Sequence, residues 1–202
     1  MADIAIFHSV LGVRRGVEEA AERLRASGHR PFVVDQYEGR RFESYDEAAG
    51  YAESIGYPVL MQRALESVES LPDGFLAVGF SNGAGMAEYV ALNRRVSAVV
   101  LVAGALPMAM LGASEWPAGV PAQIHYTHGD PFRNRDWLDA LISAVEAAPA
   151  PCELHEYGGE GHLFTDPSLP DEYDPDAASE TWRRILDFCE IHAPGSDSED
   201  RS

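Results

Sequence analysis

Six short apolar runs alternate along this chain with stretches of helical spacing, and this alternation restricts its fold more than any other feature. The runs fall at 4–7, 31–37, 74–80, 97–105, 122–129 and 152–159. After the first, Val13, Val17, Ala20, Ala21 and Leu24 recur on one helical face, and Gly28 supplies a stop. Helical patterns also cover 58–70, 82–93, 134–147 and 177–192. Trp137, Leu138, Leu141, Ile142 and Val145 share a face in one of these, and Trp182, Ile185, Leu186 and Cys189 in another. Residues 38–57, polar and aromatic with three glycines, read as a long loop or a short helix. Strand, helix and strand in succession imply crossover connections, hence a parallel sheet with helices on both faces. The interior runs are apolar throughout, as strands covered on both faces require. The expected class is α/β with about six strands. Only sixteen residues, "LPMAMLGASEWPAGVP", separate the fourth and fifth runs, so no cap domain is expected there.

A chain of 202 residues with 46% hydrophobic content can bury its own core. One domain over 1–193 is expected, with the tail "PGSDSEDRS" forming an acidic, disordered end over 194–202. The formal charge of −18 repels phosphate backbones and anionic lipid, which argues against nucleic-acid and membrane partners. The two cysteines, Cys152 and Cys189, lie far apart in apolar patterns and read as small buried hydrophobes. The N-terminus has no charged region ahead of an apolar core, and no apolar run approaches a membrane span, so a cytoplasmic location is expected.

In parallel sheets, ligands collect beyond the carboxyl ends of the strands. Those ends carry His8 and Ser9, then Asp35, Ser81, His128 with Asp130, and His162. Ser81 lies in "LAVGFSNGAG", where an apolar run meets Gly79-Phe80-Ser81-Asn82-Gly83. Chance supplies Gly-x-Ser-x-Gly about once in ten to twenty chains of this size, so Ser81 alone could be only a turn residue. At such an elbow the serine adopts strained angles, small neighbours avoid clashes, and the following helix points its N-terminus at developing negative charge. The Asn82 N–H is then available to an oxyanion.

A serine needs a base, and His162 in the Gly-rich "YGGEGHLFTD" is the candidate. Asp130 in "THGDPF" is the candidate to orient it, with Asp136 or Asp166 as substitutes. The chain order Ser81, Asp130, His162 is that of α/β-hydrolases. His8, His125, His128 and His155 read as structural, and His125 and His128 face opposite sides of a strand, so no metal site is expected.

With these residues in view, the chain resembles the dienelactone hydrolase family, a compact branch of the α/β-hydrolases, over about residues 4–192. "IFHSVLGV" resembles the family's oxyanion loop, "VVDQYEG" its second strand, "GFSNGA" its elbow, "HGD" its acid site and "EGHLF" its histidine loop. "YDPDAASETWRRILDF" resembles its closing helix. The resemblance implies a trimmed sheet ordered 2-1-3-4-5-6. It also implies acyl-transfer hydrolysis of a small ester, lactone or thioester by Ser81, His162 and Asp130, with Val10 and Asn82 N–H groups as the oxyanion hole and no cofactor.

Three departures bear on substrate. The founding enzymes use cysteine where Ser81 stands. They place a glutamate in the oxyanion loop where Ser9 stands. They clamp the substrate carboxylate with arginine where Asp166 stands, and a carboxylate there would repel an anionic lactone. Ser9, Leu11, Met108, Trp116 and Leu163 are the expected pocket residues, although Met108 and Trp116 would equally suit packing on the sheet edge. Arg14, Arg15 and Arg133 suit a solvated surface better than an anion site. The expected partner is a small-molecule ester, and the expected state a monomer or homodimer. A non-catalytic binding protein on the same fold is the second reading. A flavodoxin-like phosphate binder ranks last, because "HSVLGVRRG" lacks a Ser/Thr/Gly-rich cradle.

Overall fold

In the computed structural model, which describes residues 1–195, six parallel strands form one sheet. They are β1 (Asp3–Phe7), β2 (Arg30–Val34), β3 (Phe75–Phe80), β4 (Val96–Val102), β5 (Ala122–Thr127) and β6 (Cys152–Tyr157). Their spatial order is β2-β1-β3-β4-β5-β6, as the resemblance implied. The helices are α1 (Arg15–Ala26), α2 (Tyr45–Ile55), α3 (Tyr57–Ser67), α4 (Asn82–Asn93), α5 (Arg135–Ala147) and α6 (Pro175–Ile191). The expected tail begins at 194, and its residues 196–202 lie outside those described.

The two-residue period of the strands divides the core in two. Ala5, Phe7, Ala77, Val99 and Leu101 point to the side covered by α3, α4 and α5. Ile4, Ile6, Leu76, Val78, Ala98 and Val100 point to the side covered by α1 and α6. β3 is buried at every residue, which explains its unbroken apolar run. Burying each Val or Leu side chain contributes about 1.5–3 kcal/mol, so these two layers supply most of the drive to fold.

The 38–57 stretch holds a full helix, α2. Ser44 caps it by accepting from the Glu47 N–H at 3.5 Å, and Gly56, at φ 91°, breaks it from α3. The stretch between β4 and β5 contains a short 3-10 turn at Met108–Leu111 and no cap domain. α6 begins two residues before the expected 177, because Asp174 caps it by accepting from the Asp176 and Ala177 N–H groups. Among the described residues no helix is long and apolar enough to cross a membrane.

Candidate active site

β3 ends at Phe80, and the chain turns at once into α4 through Ser81, at φ 52° and ψ −116°. That left-handed backbone is costly for any residue but glycine, and here it holds the hydroxyl at the strand's carboxyl end. The Ser81 N–H donates to the Val102 carbonyl on β4 at 2.7 Å, and its own carbonyl accepts from Ala84 at 2.8 Å. The flanking glycines are required by close approach. A Cβ on Gly79 would overlap the Gly83 carbonyl, and one on Gly83 would overlap the carbonyls of Phe7 and His8. The start of α4 therefore lies directly against the loop after β1.

His162 brings its Nε2 to 2.7 Å from Ser81 Oγ and its Nδ1 to 2.8 and 2.9 Å from the Asp130 carboxylate oxygens. Because the carboxylate accepts from Nδ1–H, Nε2 is left to accept from the serine hydroxyl. Asp130 Oδ1 also accepts from the Phe132 N–H at 2.8 Å. Asp130 and His162 are buried while Ser81 stays partly open. The three residues expected to act together are thus brought into one hydrogen-bonded line.

The first loop is stiffened by a neutral histidine. Burial pushes the His8 pKa below its ordinary value. Its Nε2 accepts from the Gln36 N–H, and Nδ1–H donates to the Ser9 carbonyl at 2.6 Å. The next turn is closed by Gly12 N–H donating to the Ser9 carbonyl and Leu11 N–H donating to Ser9 Oγ. Neither bond uses the Val10 N–H. The Asn82 N–H, at the first position of α4, has no acceptor within its helix. Asn82 Nδ2 is buried without a hydrogen-bond partner.

Of the expected pocket residues, Ser9 and Leu163 line a narrow crevice with Arg14 and Asp166. Leu11 packs in the core, and Met108 and Trp116 follow their packing alternative. They are 1%, 6% and 3% exposed and pack within the two hydrophobic layers, Trp116 donating Nε1–H to the Val120 carbonyl of its own loop. Apolar side chains in a short connection gain more from joining the adjacent core than from lining an open wall.

Two of the arginines also depart from a solvated reading. Arg14 is buried, donates to the Phe42 carbonyl and Ser168, and lies 3.9 Å from Asp166. The Arg133 side chain is 7% exposed and pairs with Glu156. Asp166 is itself buried and accepts from the Ser168 N–H and hydroxyl, so its charge is partly matched by Arg14. The repulsion expected of it is correspondingly reduced.

Three further residues, two against the imidazole and one on its loop, carry no local sequence signal. The Phe132 and Tyr45 rings lie 4.7 and 6.0 Å from the imidazole, edge to face, and 5.2 Å from each other. The Tyr45 hydroxyl donates to Glu172, whose carboxylate also accepts from the Leu163 N–H. Burial first, and then the Glu172 charge, push the Tyr45 pKa up and keep that hydroxyl a donor. Among the described residues no group of His, Cys, Asp and Glu has the arrangement of a metal site.

The six-stranded parallel sheet, the strained serine between β3 and α4 and the histidine beyond β6 define an α/β-hydrolase fold. The chain belongs to the dienelactone hydrolase family, whose model matches residues 2–192. Solved structures with the same fold include a dienelactone hydrolase-like promiscuous phosphotriesterase from metagenomic libraries. It is 18% identical with a TM-score of 0.78, over 95% of this chain and 87% of that one. A dienelactone hydrolase from Anabaena variabilis is 16% identical with a TM-score of 0.66, over 96% and 87%. Esterase 2 of Thermogutta terrifontis, phosphonylated by sarin, is 14% identical with a TM-score of 0.61, over 94% and 83%. No curated protein matches the sequence.

Proposed function

We propose that this member of the family is a serine hydrolase that cleaves small, neutral or mildly apolar esters, lactones or thioesters. The observation that carries the reading is the unbroken line from Ser81 Oγ through both His162 nitrogens to Asp130, every step between 2.7 and 2.9 Å. Ser81 attacks the carbonyl carbon as His162 Nε2 takes the hydroxyl proton. Asp130 holds the imidazole in the tautomer that can accept it and stabilises the imidazolium that forms. The oxyanion is met by the N–H groups of Asn82 and Val10, each such donor worth about 3 kcal/mol at the transition state. His162 then protonates the leaving oxygen or sulfur, and water repeats the sequence on the acyl-enzyme.

Preference for uncharged substrates is supported by the engagement of the cation that lines the crevice beside Ser9. Asp166 stands where the founding enzymes clamp an anion, and Arg14, the cation beside it, is already engaged. The named relatives that are an esterase and a phosphotriesterase accord with a nucleophile acting on an ester.

The test is a fluorophosphonate probe followed by peptide mass spectrometry, with hydrolysis of short-chain esters, lactones and thioesters alongside. A single adduct on Ser81, and loss of turnover in Ser81→Ala, are expected. Folded protein that takes no adduct, or a Ser81→Ala variant that hydrolyses as well as the parent, would overturn the proposal in favour of a binding protein on a hydrolase scaffold.

A further inference from the structure

We infer that Glu172, held by Tyr45, is a positioning residue for His162; this rests on His162 being the base of the proposed reaction. His162 sits in a Gly-rich connection between β6 and α6, a kind of segment that does not by itself hold a side chain in place. Two bonds bracket it. One residue before, the Gly161 carbonyl accepts from Thr127 Oγ1 of β5 at 2.8 Å. One residue after, the Leu163 N–H donates to Glu172 Oε2 at 2.7 Å. The first anchor is tied to the sheet. The second is only as firm as Glu172 itself.

Glu172 is fixed from two directions. Its backbone presses on Gly161, where a Cβ would overlap the Glu172 carbonyl, and its N–H donates to the Leu169 carbonyl at 2.9 Å. Its carboxylate takes the Tyr45 hydroxyl at 2.9 and 3.0 Å on its two oxygens. Among the described residues no ion pair involves Glu172, and its carboxylate accepts there from the neutral Tyr45 hydroxyl and Leu163 N–H. Tyr45 serves twice: its hydroxyl steadies the carboxylate, and its ring, with Phe132, closes one side of the imidazole. An imidazole free to swing would lose Ser81 or Asp130, and both contacts are needed at once for proton transfer.

The test compares purified full-length Glu172→Ala, Glu172→Gln and Tyr45→Phe with the parent and with Ser81→Ala on a short-chain p-nitrophenyl ester. Displacing a reacting group by about an ångström costs up to about a hundredfold, so Glu172→Ala should lose about ten- to a hundredfold in kcat with KM little changed. Glu172→Gln should recover most of that loss, because one amide oxygen at the Oε2 position can accept from both Leu163 and Tyr45. The low-field Nδ1–H proton resonance of His162 should persist in the Gln variant and broaden away in the Ala variant.

A Glu172→Ala protein that melts like the parent and keeps its kcat and that resonance overturns the inference. If Glu172→Ala does not fold, Tyr45→Phe decides: it keeps the ring and drops the hydroxyl, so a reduced kcat supports the assignment and an unchanged kcat and resonance overturn it. A Ser81→Ala variant as active as the parent overturns the hydrolase reading and this inference together. An inactive Ser81→Ala beside a fully active, folded Glu172→Ala overturns only the role of Glu172.

Discussion

A serine hydroxyl becomes a useful nucleophile only when a neighbour can take its proton at the moment of attack, and in the proposed reaction of Ser81 that neighbour is His162, 2.7 Å away. The tautomer of His162 is therefore as important as its position. Asp130 accepts from Nδ1 and so leaves Nε2 free to receive. Asp130→Asn would present an amide N–H to Nδ1 and favour the opposite tautomer, with nearly the same shape. It should lower kcat by about four orders of magnitude while leaving the melting temperature close to the parent's, measured by ester turnover and circular dichroism. Ser81, Asp130 and His162 were legible in the sequence because each carries a local mark: a glycine-flanked turn, a strand end followed by proline, a Gly-rich loop. Glu172 and Phe132 carry none. Glu172 meets Tyr45 across 127 positions, and nothing beside either residue announces the contact.

At the scale of elements, the site depends on how closely α4 approaches β1 and β3. Gly83 sits where any side chain would meet the Phe7 and His8 carbonyls, backbone atoms that cannot move aside. Gly83→Ala should destabilise by about 3 kcal/mol or more, seen as a fall in the urea midpoint, and should cost activity even where the protein remains folded. If the midpoint is unchanged, the close seating of α4 on β1 is not what positions Ser81. The same scale explains why α2 read as a loop or short helix. Only Ala48 and Ala52 are buried along it, too small a stripe to stand out among polar and aromatic neighbours. Its ends are set by Ser44 and Gly56, and its place by tertiary packing. The choice between wall and core was open in the sequence for a related reason: Leu11, Met108 and Trp116 are apolar enough for either, and composition does not distinguish the two.

For the whole molecule, pH response follows from groups the chemistry leaves unused. Glu88 in α4 is fully buried, with both carboxylate oxygens near the Leu106 N–H. Burial raises its pKa well above the ordinary 4.5. Its contribution to stability is complete below pH 4.5 and is lost as the pH rises toward the folded value. Burial lowers the pKa of His8 and His125 below 6.5, so their contribution is complete above that pH and is lost as the pH falls. Above pH 6.5 the His8 and His125 contributions are complete, and a single group such as Glu88 adds a slope of at most about 1.4 kcal/mol per pH unit. Glu88→Gln should be more stable than the parent near pH 8, with a flatter profile in urea unfolding between about pH 5 and about pH 8. A Glu88→Gln curve that runs parallel to the parent's across that whole range would show that Glu88 does not couple folding to proton uptake.

The sequence by itself determined the parallel sheet, the order of its strands and of five of its helices, and the three residues now in line, because periodicity and turn chemistry act between near neighbours. Tertiary structure alone decided which apolar side chains became core, which arginines were buried, and which distant tyrosine holds the carboxylate beside the histidine loop. Those outcomes depend on surfaces meeting across the folded chain, where burial and hydrogen bonding are set by partners that sequence proximity does not reveal.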